Sequence, residues 1–263
     1  MSVLILADLH LDHWLGAGRS PFTDVPASFW SSLDAFIIAG DLSNKPKVRW
    51  PVFLREIGQL MPIDRVYVIP GNHDYYQHNL DNDDRLDAIC KSAGAHFSQK
   101  KEVIIGADRF LCCTLWTDFK IHGNIDASAW DASRHLNDYR TIRLQHDGYR
   151  RITPYDIMKV HADHRAWLEA MLAKPFAGRT SVVTHHAPMR DLVDANFPML
   201  EPAYASDLSE IITQFQPAAW MYGHTHVTAS VTCGATRVQN VSIGYPFETR
   251  HKNLAGVIMR SLF

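Results

Sequence analysis

Nine residues whose types ligate metals or move protons stand just beyond apolar runs. Asp8 and His10 close "VLILADLH", Asp41 closes "AFIIAGD", and Asn72, His73 and Asp74 close "VYVIPGNHD". His185 follows "SVVT", and His224 and His226 follow "AWMYG". Imidazole and carboxylate suit borderline and hard divalent ions. An Asp-x-His or His-x-His pair aims both side chains at one point once the chain leaves the regular pleat. Asp8, His10, Asp41, Asn72, His185, His224 and His226 together exceed what one tetrahedral ion needs. They suit two ions sharing a bridging carboxylate, with positions left for water and substrate. Two metals about 3.5–4 Å apart can clamp the attacking and leaving oxygens of a phosphoryl group, and a bridging hydroxide there is a nucleophile at neutral pH. Each short piece also occurs as an ordinary turn; it is their shared place at five strand ends that points to chemistry.

The elements that position these groups follow from the apolar pattern. Continuous apolar runs suit strands buried on both faces, and in open α/β sheets ligands sit beyond the strands' carboxyl ends. Helical spacing predicts a helix over 47–61, with Pro51 moving its start toward Trp50. A second is predicted over 83–93, opened by the acidic run Asp81-Asn82-Asp83-Asp84, and a fourth over 206–215. The third is the clearest: Thr153 as N-cap, Pro154 at the first helical position and Asp156 three residues after the cap. His161 and His164 within it read as surface or packing histidines. "EVIIGADRFLCCTLW" and "SVTCGATRVQNVSI" read as hairpins, and "GVIMRSLF" as a closing strand. The expectation is an α/β fold with two packed sheets and helices outside.

Composition narrows the partners. At 263 residues and 46% hydrophobic, the chain can bury a large core without metals for stability, so any metal serves function. Residues 1–263 read as one domain. Lys plus Arg number 26 against 28 Asp plus Glu, with no basic block, so the footprint of a nucleic-acid binder is missing. Cys90, Cys112, Cys113 and Cys233 form no CxxC, and the adjacent pair must point to opposite faces of a strand, which suits reduced, buried thiols in a cytoplasmic protein. The opening residues lack a cationic region and a long apolar core, and no run approaches a membrane span.

In this order the motifs Asp8-Leu9-His10, Gly40-Asp41, Gly71-Asn72-His73-Asp74, His185 within "VVTHHAP" and Gly223-His224-Thr225-His226 resemble the calcineurin-like metallophosphoesterases, whose pattern is DxH, GD, GNH(D/E), H and GHxH. The resemblance spans residues 8–226. It implies two mixed β-sheets packed face to face between helices, a four-layer αββα sandwich. It also implies roles. Asp8, His10 and His226 would hold one metal, Asn72, His185 and His224 a second, and Asp41 would bridge them; Mn, Fe, Zn, Ni or Co would fit such ligands. His73 would approach the substrate phosphate and protonate the leaving oxygen. Asp74 would accept a hydrogen bond from His73 and fix its tautomer. Gly223 would let the backbone turn sharply. His185 is chosen over His186 for its H-x-x-P spacing to Pro188, which leaves His186 facing the pocket or packing beside it. Protein Ser/Thr phosphatases of this superfamily carry an arginine soon after GD; here Asn44 stands in that neighbourhood, which favours a small or extended phosphoester over a phosphoprotein.

Two long segments, 118–150 and 187–205, read as loops over the metals that choose the substrate. The neighbourhood 116–140 offers Trp116, Asp118, Phe119, His122, His135, Asp138, Tyr139 and Arg140, aromatics and cations able to stack a ring or hold a phosphate. Asn44, His186, His122 and Arg140 are the candidate substrate contacts, whereas Phe197, Met199 and Tyr204 read as packing. The function expected is hydrolysis of a small phosphoester, phosphodiesters ahead of monoesters. The alternatives are a non-catalytic scaffold for protein partners, whose known examples in this superfamily usually lack ligands or the GNH histidine, and a single-metal hydrolase of a non-phosphate bond.

Overall fold

Two sheets lie face to face because the apolar strands alternate which layer each side chain enters. The computed structural model describes residues 1–193 and 198–263. The first sheet holds β1 (Val3–Leu6), β2 (Ala35–Ala39), β3 (Val66–Ile69) and β4 (His96–Phe97) in that order. The second contains β5 (Lys101–Ile105), β6 (Asp108–Cys113), β7 (Arg179–Thr184), β8 (Ala219–Tyr222), β9 (Ser230–Cys233) and β10 (Thr236–Asn240), in the order β5-β6-β7-β8-β10-β9. Val3 and Ile5 meet Phe110, Cys112, Val183 and Met221 between the sheets, while Leu4 and Leu6 face outward into a cluster that includes Trp50, Phe53 and Leu54 of one helix. Leu111, Cys113, Val182 and Trp220 cover the outer face of the second sheet against Leu168 and Ile212. Helix, sheet, sheet, helix is the result, and Cys112 and Cys113 do fall on opposite faces.

The second sheet is mixed, with both predicted hairpins at its edges. The first is not: β1 to β4 pair only in parallel, since helical or long connections separate β1, β2 and β3 and the helix Asp83–Ala93 separates β3 from β4. An isolated antiparallel bridge between Leu4 and Leu262 is added at its edge. That bridge comes from the segment read as a closing strand, most of which is instead the helix Leu254–Arg260. Asn253 explains the difference, its side chain capping the helix by accepting from the Gly256 N–H. Pro51 was likewise a weak breaker: the helix runs Pro46–Ile57 straight through it, started by Pro46 in the first turn and held by buried Trp50, Phe53, Leu54 and Ile57. The later helices are Pro154–Leu172, with the Thr153–Asp156 capping box formed, and Ser209–Phe215. His161 and His164 are buried packing histidines, and Cys233 is half-buried rather than buried.

The segments left as loops contain short helices, Ile125–His135 and Asp138–Thr141 in the first and Glu201–Tyr204 in the second. Trp116 and Phe119 are buried in the core and do not line the cleft at the strand ends. Met199 is exposed, and Phe197 lies outside the described residues. No helix among the described residues is long and apolar enough to cross a membrane.

Candidate metal centre

The carboxyl ends of β1, β2, β3, β7 and β8 converge where the two sheets meet. There the stretch after β10 bonds to the end of β1: Ala7 N–H donates to Val241 O, and Gly244 N–H to Asp8 O. The strands do not simply run out. Asp8, His10, Asp41, His224 and His226 all take left-handed backbone angles, with φ between 40° and 68°. Each such non-glycine residue costs on the order of 1–3 kcal/mol and persists only where its surroundings over-determine it. That break from the pleat turns Asp8/His10 and His224/His226 toward one point. Glycines are needed here for room. A Cβ on Gly71 would stand 2.2 Å from Asp41 Oδ1, and one on Gly223 would stand 2.6 Å from Asp8 Oδ2. Gly223 therefore serves close approach, and the sharp turn falls on the histidines after it.

Two groups of potential ligands share a border at Asp41. Asp8, His10 and His226 form one, and Asp41, His185 and His224 the other, each with its donor atoms within 4.8 Å of one another. His226 Nε2 lies 3.2 Å from Asp8 Oδ1 and 3.2 Å from His10 Nε2. His185 Nε2 lies 3.1 Å from Asn72 Oδ1. Asp41 reaches both ways, Oδ2 standing 3.6 Å from His10 Nε2 and Oδ1 standing 3.5 Å from His185 Nε2. Metal–ligand bonds of about 2.1 Å give ligand–ligand edges of about 3.0 to 3.4 Å, which the spacings of 3.1 and 3.2 Å match and the Asp41 distances of 3.5 and 3.6 Å slightly exceed. Of the adjacent pair, His185 is the one aimed here. His186 is buried against Trp116 and His224, with ring centroids 4.9 and 4.2 Å away, and does not line the cleft.

Asp8, Asn72, His185 and His226 are each held by a partner that leaves the working atom free, whereas His10 Nδ1 is buried without one among the described residues. Asp8 Oδ2 accepts from His224 N–H and Ser242 Oγ, leaving Oδ1 buried with no well-formed hydrogen bond and with His226 Nε2 3.2 Å away. An orphaned carboxylate oxygen at full burial is costly unless a cation meets it, and this fits a divalent ion. His185 Nδ1 donates to Ala39 O, and His226 Nδ1 lies 2.8 Å from Glu248 Oε2, so both present Nε2. Asp138 Oδ1 can only accept, so Asn72 must give it Nδ2 and turn Oδ1 inward. Tyr76 donates to the same Asp138 oxygen.

The electrostatics ask for positive charge. Burial pushes Asp41 well up, and Asp8 and Asp74 add to the rise. Burial would raise Asp8 too, but His226 above all, with His185 and His10, pulls it below the usual carboxylate range. Burial lowers His10, His185 and His224, which keeps them neutral as ligands must be. Against its own burial, His226 is held up at about 10 by Asp8 and Glu248. A proton there stands in for the cation.

The structure redistributes the remaining candidates. Asp74 makes no bond to His73. It is a buried clamp, accepting from the N–H groups of Gly71, Asp41, Leu42 and Ser43 and from Trp50 Nε1, and so fastens the Gly-Asp turn to the Gly-Asn-His-Asp turn. The His73 partner is Asn44, whose Oδ1 lies 3.0 Å from Nδ1 while its Nδ2 donates to Asp12. Asn44 is thus spent on His73. Burial holds His73 down at about 3, which keeps the ring neutral. His122 pairs with Glu201, and Arg140 is exposed and donates to Arg134 O; neither lines the cleft. The cleft itself measures about 450 Å³, walled by Asn72, His73, His224 and His226, by His135 to Asp138, and by Tyr76, Tyr204, Tyr245 and Glu248. The supporting roles of Asp138, Ser242, Tyr245 and Glu248 were missed in the sequence. Ser242, Tyr245 and Glu248 sit in loops with no motif, and Asp138 opens the short helix Asp138–Thr141 within a segment singled out as a cap.

Known proteins share this fold. The chain is similar to an uncharacterized protein, L509, of Acanthamoeba polyphaga mimivirus, 25% identical over 94% of this chain and 92% of the relative. In fold it is similar to the phosphopantetheinyl hydrolase of Mycobacterium tuberculosis, with a TM-score of 0.72 at 20% identity over 96% of this chain and 92% of the other. The family model for calcineurin-like phosphoesterases matches residues 1–228. The chain belongs to the calcineurin-like phosphoesterase family and is a metal-dependent phosphoesterase.

Proposed function

We propose that this chain hydrolyses small phosphodiesters at a centre of two divalent ions, held by Asp8, His10 and His226 on one side and by Asn72, His185 and His224 on the other, with Asp41 shared. The observation that supports two sites is the double reach of Asp41, one oxygen toward His10 and the other toward His185. When bound, two such ions supply a nucleophilic oxygen at neutral pH and neutralise charge on the phosphoryl group. The chain's own residues do the rest. Asp138, itself held by the Tyr76 hydroxyl, fixes the Asn72 amide, Glu248 fixes His226, and Ser242 fixes Asp8. With Nδ1–H donated to Asn44, His73 presents Nε2 to the cleft; a phosphate's negative charge favours protonating that nitrogen, which can then donate to the leaving oxygen.

Diester preference follows from charge. The described cleft lining includes Asp41, Asp138 and Glu248 but no lysine or arginine. Beyond the two ions, a monoester dianion would find no lysine or arginine in that lining for its second charge, and a diester monoanion needs none. Manganese-loaded protein at pH 8 should therefore cleave an aromatic phosphodiester in preference to the matching monoester, by about tenfold in kcat/KM, the worth of one unmet charged hydrogen bond. A preference for the monoester overturns the diester assignment, and full activity with one metal per chain by elemental analysis overturns the paired centre.

A further inference from the structure

Beside the metal cleft lies a second cavity of about 790 Å³, and Tyr76 lines both. Its charge is opposite. Arg19, Lys45, Arg49 and Arg250 gather there from three separate stretches of chain. Arg49 is already paired with Asp12, the carboxylate behind Asn44. Arg19 lies 5.1 Å from the Trp14 ring. Lys45 and Arg250 form no salt bridge among the described residues, and both are exposed in the concave wall. An aromatic ladder leads from the metal centre toward this cavity: Tyr245 stacks on His10 at 4.3 Å, and Phe247 stacks on Tyr245 at 5.5 Å. Phe247 itself is 63% exposed, a large ring left uncovered.

Uncommitted cations in a concavity concentrate anions, yet the scissile phosphate belongs in the neighbouring cleft with the metal ligands. We propose that the basic cavity is a subsite for a second phosphate carried by the same small substrate, held by Lys45, Arg250 and Arg19, with a planar ring of that substrate lying on Phe247. This rests on the phosphodiester reading and narrows it to diesters whose alcohol part bears a further phosphate close to the scissile one.

The test uses the manganese-loaded full chain and two chromogenic substrates, the p-nitrophenyl esters of adenosine 5′-phosphate with and without a 3′-phosphate. The 3′-phosphate should lower KM by about tenfold, the size of a charge-assisted hydrogen bond. Arg250→Glu and Lys45→Ala should each erode that advantage while leaving turnover of the simple ester unchanged. Calorimetry with adenosine 3′,5′-bisphosphate and adenosine 5′-monophosphate reads the same preference without turnover. Equal KM and equal affinity for the two members of each pair overturn the subsite, as does an advantage that survives in both variants. If the bisphosphate still binds preferentially but neither ester is cleaved, the subsite stands and the diesterase reading fails.

Discussion

The two clefts that meet at Tyr76 are built in opposite ways. The metal cleft takes its donors from strand ends, buries all but the half-buried His224 and His226, strains five of them into left-handed backbone and gives most a fixed hydrogen-bond partner. The basic cavity takes its charges from loops and helix starts and leaves Arg19, Lys45 and Arg250 in solvent. The difference is one of tolerance. Groups that must meet a reacting atom need placement to a fraction of an ångström, and only rigid, doubly held side chains provide it. Charges that hold a substrate's far end act over longer distances and tolerate mobility.

The sharpest way to break this contrast is to remove the shared carboxylate. Asp41→Asn should lose both ions, read by elemental analysis, and cut kcat/KM by about three orders of magnitude or more. His73→Asn should keep both ions and lower kcat by about 10²- to 10⁴-fold, the range for a missing proton donor. Full activity or two bound ions in Asp41→Asn would mean that the centre is not organised around Asp41, and full activity in His73→Asn would remove His73 as the proton donor. A smaller effect sharpens the point about rigidity. Asp138 touches no predicted metal position, only the Asn72 amide and Tyr76 hydroxyl. Asp138→Ala should weaken metal affinity by about 10- to 100-fold, as losses of such supporting partners do, with little change in the fold. Unchanged affinity in a metal titration would show that Asn72 needs no outside hold.

How much of this was legible in the sequence follows from the same contrast. Asp8, His10, Asp41, Asn72, His185, His224 and His226 could be read because each directly ends an apolar run, so strand and ligand share one short window. Their supports could not be. Asp138 lies 66 residues from Asn72, and Ser242 lies 234 from Asp8. Only folding brings them together. Asp74 shows a finer failure: its place in the motif was visible, but its chain neighbour His73 suggested the wrong partner, while its oxygens were taken by five N–H donors on other residues. The basic cavity left no trace in composition, since Arg19, Lys45 and Arg250 form no run. In the fold, the layers followed from alternation along strands, whereas Pro51 and residues 254–260 were misread because a first-turn proline and an asparagine cap outweighed the local pattern.

Charge outside both clefts gives the smallest effect and tests whether it works by local bonding alone. Asp156 opens the helix Pro154–Leu172. It accepts from both terminal nitrogens of Arg150, at 2.7 and 2.9 Å, and from the Thr153 N–H and hydroxyl. Chiefly because of Arg150, its carboxyl is held down at about 2. An unfolded aspartate titrates near 3.9, so between those values the unfolded chain binds more protons, and stability falls as the medium is acidified. The contribution is therefore complete above about pH 4 and gone once pH has dropped through about 2. In metal-free protein, Asp156→Asn should cost about 1 kcal/mol at pH 6, the upper range for a partly solvated pair, with the cap bond to Thr153 still available. The gap in melting temperature between the two proteins should close as pH falls from 4 toward 2 and shrink in high salt. A gap that stays constant over that range would assign the role of Asp156 to its shape and capping oxygen instead of its charge.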